Sequence, residues 1–287
     1  MSVFLYAVVV LIWGSTWIAV AYQVGVVPPE ASVAYRIGLA AIFMFAWTLA
    51  RRLPLRFSAK DHFFMALQGA LIFSSNFFLF YNAAAFLTTG FIAVIFSMAS
   101  AMTTIINAVV MRRWPSLRVS LGAVLGILGI VMIYSDELLQ FSIHSDKLLG
   151  VVLSLGGTVC FSLGSIVSAR NRQAGLPVSG NTAWAMFYGF LLLAVFLFTS
   201  GHHFTFDPRL PYTISLLYLS IVGSIIAFAA YFALLGRIDA ERAAYATVLF
   251  PIVALSLSTA FEGYQWTVPA LIGVIIILTG NLLVLKK

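Results

Sequence analysis

The chain has 287 residues, of which 62 % are hydrophobic and only 9 % carry a formal charge. A soluble domain carries about a quarter charged residues, so this composition excludes a soluble fold, a disordered chain and, with Cys160 as the single cysteine, a disulfide scaffold. The net charge of +7 comes from short basic clusters between apolar runs, a pattern typical of membrane topology signals and not of a nucleic-acid-binding face.

Ten apolar segments are long enough to cross the ~30 Å hydrocarbon core of a membrane as helices, and they lack the alternation of an outer-membrane barrel. The first is expected to be retained, because it lacks a basic leader and exceeds a typical signal-peptide core. A long uncharged run is divided at Thr88-Thr89-Gly90, where we predict a hairpin. The predicted helices 1 to 10 are 3–22, 32–50, 62–84, 90–111, 119–135, 148–168, 180–200, 211–235, 242–261 and 267–285.

The basic residues predict which side of the membrane each loop faces. With ten helices, thirteen of the sixteen Lys and Arg residues fall on one side, and only Arg36, Lys147 and Arg209 fall on the other. Basic loops remain in the cytoplasm. We therefore predict a multi-pass protein of the inner (plasma) membrane with both termini cytoplasmic.

Helix 1 presents Trp13 and Trp17 on one face, deeper than the interfacial belt where indole rings usually gather. We expect them to line an internal cavity, with an interfacial belt as the alternative. Helix 2 contains Arg36, the one basic residue within a predicted span. Its guanidinium is expected to snorkel to the outer interface, or otherwise to face an external vestibule and attract a carboxylate.

Helices 3, 4 and 6 carry neutral polar residues at helical spacing; in helix 3, Gln68, Ser75 and Asn82 lie seven residues apart. Such groups either hydrogen-bond neighbouring helices or line a cavity, and buried amides favour a cavity because each needs several partners. Aromatic residues beside them either line the same cavity or pack against apolar neighbours. The candidate substrate-binding residues of helices 3, 4, 6, 8 and 9 are Asn76, Phe80, Tyr81, Asn82, Ser97, Ser100, Ser165, Tyr231, Tyr245 and Pro251.

Helices 5 and 9 carry residues that affect helix packing and shape. Gly122, Gly126 and Gly129 permit close approach of another helix, and packing against helix 10 is favoured over a dimer interface. Pro251 predicts a kink in helix 9 that leaves the carbonyl of Thr247 without its usual donor. Ser100 occupies the equivalent position in the first half, so the two halves need not bend alike.

The two halves of the chain match weakly at an offset of 150 or 151 residues, which predicts two five-helix repeats, 1–135 and 148–287. Because five is odd, the second repeat must enter the membrane from the opposite face. Inverted repeats are typical of secondary transporters that work by alternating access. The matching pairs include Gly14-Ser15 with Gly164-Ser165, Phe78 with Phe228, Tyr81 with Tyr231, Gly122 with Gly273, and Gly129 with Gly280.

Several short motifs, in order and spacing, resemble the drug/metabolite transporter (DMT) superfamily, and within it the EamA-type ten-helix exporters. They are Leu11-Ile12-Trp13-Gly14-Ser15, Tyr81-Asn82-Ala83-Ala84, Pro251, Glu262, and Gly273 to Gly280. Within that branch the chain is most similar to aromatic amino acid exporters of the YddG type. The resemblance implies a central cavity enclosed by helices 1, 3, 4, 6, 8 and 9, with helices 5 and 10 at the periphery. The chain departs from the pattern at Met111, the first-half counterpart of Glu262, so a role needing that carboxylate in both halves is in doubt.

We therefore expect a non-enzymatic exporter of small organic solutes, foremost aromatic and hydrophobic amino acids, working as a monomer or weak homodimer in the lipid bilayer. All acidic and histidine residues fall in loops or at helix ends. This placement argues against a proton relay, an intramembrane protease and a metal site, and we expect no cofactor. The alternatives are a multidrug or nucleotide-sugar carrier of the same superfamily, and a channel.

Overall fold

The computed structural model describes residues 2–110, 112, 114, 116–133, 146–227, 230 and 246–285. These residues form ten helices and no strand, which confirms the predicted all-helical membrane fold and the hairpin at Thr88-Thr89-Gly90. Six helices are long and apolar enough to span a membrane, and the other four are apolar helices of 16 to 18 residues. The helices are α1 (Ser2–Ala21), α2 (Pro29–Ala50), α3 (Ala59–Ala83), α4 (Thr89–Val110), α5 (Leu117–Ile133), α6 (Asp146–Gln173), α7 (Val178–Thr199), α8 (Leu210–Ile226), α9 (Ala246–Phe261) and α10 (Val268–Leu285).

Loops 22–28, 84–88, 200–209 and 262–267 lie at one end of the helices, which we name the outer side, following the predicted orientation. Between the helices the apolar core is continuous across the two halves. One core cluster combines residues of α1, α2 and α3 with residues of α7 and α8. A second combines α1, α3 and α4 with α6 and α9. The halves are therefore interleaved and share one interior.

Two of the three glycines predicted to face α10, Gly122 and Gly129, bring α5 and α10 into close contact, whereas Gly126 faces the Met98 side chain of α4. A Cβ atom on Gly122 would lie 2.7 Å from the carbonyl oxygen of Gly280, and one on Gly129 would lie 2.6 Å from that of Gly273. The repeat aligns Gly122 with Gly273 and Gly129 with Gly280. In the structure the contacts are crossed: Gly122 meets Gly280, and Gly129 meets Gly273. A crossed contact of this kind is what an antiparallel arrangement of two equivalent helices produces.

Helices α3 and α8 each contain a π-helical segment, at Gly69–Ser75 and Tyr218–Ile226. The two segments lie at equivalent positions of the halves, about 150 residues apart. A π turn inserts an extra residue into an α-helix, so the side chains that follow it point in different directions from those of a regular helix. Such turns are frequent at functional sites. The π segment lies between Gln68 and Asn82, so their spacing in sequence does not by itself put them on one face of the helix.

Helix α4 is interrupted, and α9 carries a proline near the equivalent level. Helix α4 consists of Thr89–Phe96 and Ala99–Val110, with a turn at Ser97 and Met98 between them. Pro251 lies within α9, about 150 residues later. Helix α9 remains α-helical from Ala246 to Phe261, so the turn in α4 has no counterpart in α9.

Candidate functional site

Five aromatic rings from five helices meet in the interior. Phe96 of α4 lies at the centre, with ring centroids 5.7 Å from Trp17, 5.3 Å from Phe80, 4.8 Å from Phe161 and 6.1 Å from Phe250. Trp17 and Phe80 also contact each other edge to face at 5.3 Å. The rings come from α1, α3, α4, α6 and α9, and we name this group the aromatic cluster.

The aromatic cluster lies where α4 is interrupted and just before Pro251 in α9. Phe96 is the last residue of the outer segment of α4, and Phe250 precedes Pro251. Trp13 packs beside the cluster, partly buried between two core groups. Helix α1 approaches α9 closely, because a Cβ on Gly14 would lie 3.0 Å from the carbonyl oxygen of Phe250.

Most of the predicted polar site residues hydrogen-bond to protein groups. Asn76 donates to the carbonyl oxygen of Gly157 at 2.9 Å, which joins α3 to α6. The Ser97 hydroxyl accepts from Asn281 at 2.7 Å and joins α4 to α10. These contacts favour the packing alternative at both positions.

The remaining polar candidates differ from one another. Asn82 and Ser165 donate to carbonyl oxygens of their own helices, at 2.7 Å and 2.8 Å. Ser100, directly after the interruption of α4, has a buried hydroxyl with no hydrogen-bond partner among the described residues. Among the candidate serines, Ser100 thus differs from Ser97 and Ser165, whose hydroxyls have described partners. Tyr231 and Tyr245 lie outside the described residues.

Arg36 is buried, so the expectation that it snorkels to the interface is wrong. Only 5 % of the residue is exposed, and its Nε atom has no hydrogen-bond partner among the described residues. The guanidinium carbon lies 4.2 Å from the ring centre of Phe77. The side chain turns inward because Phe77 and Tyr81 of α3 offer it a ring face and a polar group within the core.

On the outer side, polar contacts join the two halves of the chain. The Glu262 carboxylate accepts from the backbone N–H of Thr89 at 3.0 and 3.1 Å, from the Thr89 hydroxyl at 2.7 Å and from the Ser258 hydroxyl at 2.6 Å. A carboxylate at the first turn of α4 also interacts favourably with the helix dipole. Elsewhere on this side, Glu30 of α2 contacts His202 of the α7–α8 loop at 2.5 Å.

At the opposite end, three buried amides join α3, α6 and α7. Asn171 and Asn181 both donate to Oε1 of Gln68 at 3.0 Å, and Asn171 also donates to Asn181. Each of these contacts crosses between the halves or joins elements of the second half. Gln68, one of the polar residues that the sequence analysis noted on helix 3, thus takes part in helix packing.

Sequence reasoning missed three members of the aromatic cluster: Phe96, Phe161 and Phe250. The chain contains 25 phenylalanines, and their helical spacing alone does not separate rings that face the interior from rings that face lipid. One signal was present for Phe250, because it adjoins the mid-helix Pro251. No comparable signal marked Phe96 or Phe161.

Comparison with known proteins gives consistent matches along nearly the whole chain. The model of the EamA-like transporter family matches residues 1–135 and 148–286. The uncharacterized transporter YoaV of Bacillus subtilis is 23 % identical, covering 95 % of this chain and 92 % of its own. A probable amino-acid metabolite efflux pump of Salmonella typhimurium is also 23 % identical, covering 96 % and 92 %.

The uncharacterized inner membrane transporter YedA of Escherichia coli K12 is 27 % identical, over 88 % of this chain and 80 % of its own. A solved crystal structure superposes with a TM-score of 0.67 at 17 % identity, covering 99 % of this chain and 96 % of the other. At that identity the superposition shows a shared fold alone.

Proposed function

The chain belongs to the EamA-like transporter family, and we propose that it exports amino acids, with a preference for aromatic and hydrophobic side chains, by alternating access. The observation that carries the proposal is the aromatic cluster, which joins α1, α3 and α4 of the first half to α6 and α9 of the second. The name of one relative, a probable amino-acid metabolite efflux pump, supports the amino acid class.

The chemistry of the cluster supports the side-chain preference. Aromatic pairs in edge-to-face or offset geometry add about 0.5–1.5 kcal/mol beyond the burial of their area. Phe96 and Phe161 are only partly buried, so a planar side chain can contact them without displacing the core. This contribution produces a preference among substrates and leaves room for large aliphatic side chains.

The paired irregularities of the two halves support alternating access. The π segments of α3 and α8 lie at equivalent positions about 150 residues apart. Two halves that are similar and inverted can adopt two similar states, one open to each side. Glu262 accepts hydrogen bonds from Thr89 and so joins the two halves on the outer side.

Counterflow in proteoliposomes tests the proposal. Vesicles preloaded with unlabelled phenylalanine are expected to take up labelled phenylalanine transiently and faster than empty vesicles, because a carrier exchanges substrate across the membrane. Tryptophan, tyrosine and leucine are expected to compete more strongly than glycine, aspartate or lysine. A flux without acceleration by internal substrate would indicate a channel, and competition by lipophilic cations instead of amino acids would indicate a multidrug carrier.

A further inference from the structure

Arg36 places a positive charge inside the predicted membrane span. It lies seven residues from the start of α2 at Pro29, which is about 10 Å along the helix. A charged side chain at such depth is costly and usually marks a functional position with a partner. The contact with the Phe77 ring offsets part of this cost but supplies no acceptor to the guanidinium N–H groups.

The carboxylate nearest in sequence is engaged elsewhere. Glu30 precedes Arg36 by six residues and therefore lies on a different face of α2, where it contacts His202. No ion pair among the described residues includes Arg36. The charge of Arg36 is thus not neutralised by a described carboxylate.

Tyr81 of α3 supplies a second unused donor. Its side chain is fully buried, and its hydroxyl has no hydrogen-bond partner among the described residues. Tyr81 follows Phe77 by four residues in the α-helical part of α3, so it lies on the same helix face as the ring that contacts the Arg36 guanidinium. A phenol and a guanidinium can both donate to one anion, and the guanidinium fork fits the two oxygens of a carboxylate.

Tyr81 is also the direct neighbour of Phe80, a member of the aromatic cluster. Consecutive residues of α3 therefore face two different surroundings. Phe80 belongs to the apolar group with α4, α6 and α9, and Tyr81 to the group with α2, α7 and α8. A solute with a ring and an acidic group has a complementary surface for each end.

We infer that Arg36 and Tyr81 form an anion subsite that binds the carboxylate of the transported solute. The inference rests on the proposed function and narrows it: the substrates are organic acids, including amino acids with a free α-carboxylate. Amines and amides of the same shape are poor substrates, because they leave the buried guanidinium without a counter-charge.

Competition in the counterflow assay tests the subsite. Phenylalanine is compared with phenylalaninamide, which keeps the ring and the ammonium but lacks the carboxylate. In the unmodified protein, phenylalanine is expected to compete at least tenfold more strongly. In Arg36→Gln its apparent affinity is expected to fall by roughly 10- to 100-fold, the value of a charged hydrogen-bonded contact, while that of the amide stays unchanged.

Three further variants separate this role from folding. Arg36→Lys keeps the charge and is expected to show a smaller loss of phenylalanine affinity. Tyr81→Phe removes one hydroxyl and is expected to reduce phenylalanine affinity without affecting the amide. Tyr264→Phe is the matched control, because the Tyr264 hydroxyl is also buried and without a described partner. It is expected to leave both ligands unaffected.

A second readout separates failure of the subsite from failure of the proposed function. Protection of the purified protein against thermal unfolding is measured with 3-phenylpropionate and with its amide. Protection by the acid alone, lost in Arg36→Gln and kept in Tyr264→Phe, supports the subsite even if phenylalanine is not carried. An unchanged preference for phenylalanine over its amide in folded Arg36→Gln and Tyr81→Phe overturns the subsite and leaves the proposed function standing. Equal protection by acid and amide also overturns it.

Discussion

Trp17 offers the sharpest single-residue test of the aromatic preference. It contacts Phe80 and Phe96 and is almost fully buried. We expect Trp17→Ala to weaken transport of phenylalanine and tryptophan about 5- to 10-fold more than that of alanine, because an aromatic contact worth about 1 kcal/mol is lost only by planar substrates. Apparent affinities from counterflow measure the effect.

The matched control for this variant is Trp47→Ala. Trp47 lies on α2 and is about half exposed, at 54 %. Its removal is expected to leave the ratio between substrates unchanged. An equal loss for every substrate in folded Trp17→Ala would assign that tryptophan to packing.

The positions of some individual side chains could be predicted from the sequence, and those of others could not. The interior position of Trp17 follows from its depth in helix 1, and the tertiary structure agrees. The role of Ser97 does not follow from sequence, because a serine in a helix packs or binds according to which group faces it, here Asn281 of α10. Arg36 shows the same limit: snorkelling is the ordinary behaviour near a helix end, but the neighbours on α3 bury the side chain instead.

At the scale of helices, glycine positions in the predicted spans are expected to differ greatly in tolerance. A Cβ on Gly129 would lie 2.6 Å from the backbone oxygen of Gly273, and backbone cannot move aside without separating α5 from α10. A Cβ on Gly156 would meet only Leu79, at 3.5 Å. We expect Gly129→Ala to lower thermal stability and the yield of folded protein, and Gly156→Ala to be neutral or slightly stabilising, because alanine favours a helix by up to about 1 kcal/mol.

Thermal unfolding in detergent, followed by tryptophan fluorescence, measures both glycine variants. If Gly129→Ala is as stable as Gly156→Ala, the close packing of α5 on α10 is wrong. Helix packing of this kind was predictable, because glycines at three- and four-residue spacing have few other uses in lipid. The π segments were not predictable, since Gly69–Ser75 contains ordinary helix-compatible apolar residues and the extra residue is accommodated only in the tertiary structure.

At the scale of the whole molecule, the ten helices among the described residues were predictable because hydrophobic thickness fixes their length. The orientation rests on the basic residues alone and needs its own test. A cysteine placed at Ser116, in an otherwise Cys160→Ser protein, is expected to resist an impermeant thiol reagent added outside intact cells. One at Ser142 is expected to react. The reverse pattern would invert the assignment, and labelling of both after permeabilisation is the control.

The acidic residues also lead to a prediction about energy coupling, that is, about whether a proton gradient drives transport. Three acidic side chains on the outer side have described partners: Glu30 contacts His202, Glu262 accepts from Thr89 at the start of α4, and Asp207 accepts hydrogen bonds from Arg209 at 2.8 to 3.1 Å. The hydrogen bonds from Arg209 lower the pKa of Asp207, so this carboxylate is protonated only at a lower pH than usual. A proton carrier must bind and release its proton in each cycle, which such a group does not do near neutral pH.

We therefore expect flux to follow the substrate gradient and to respond little to an imposed pH step. Proteoliposomes with equal phenylalanine on both sides and a pH difference of about two units are expected to show no net accumulation, whereas a phenylalanine gradient without a pH difference drives transport. Uphill accumulation from the pH step alone would contradict this. The variants Glu30→Gln and Glu262→Gln would then identify the proton-binding group. A proton-linked carboxylate loses coupling to the pH difference when it is replaced by its neutral amide. A carboxylate that only joins helices on the outer side retains this coupling.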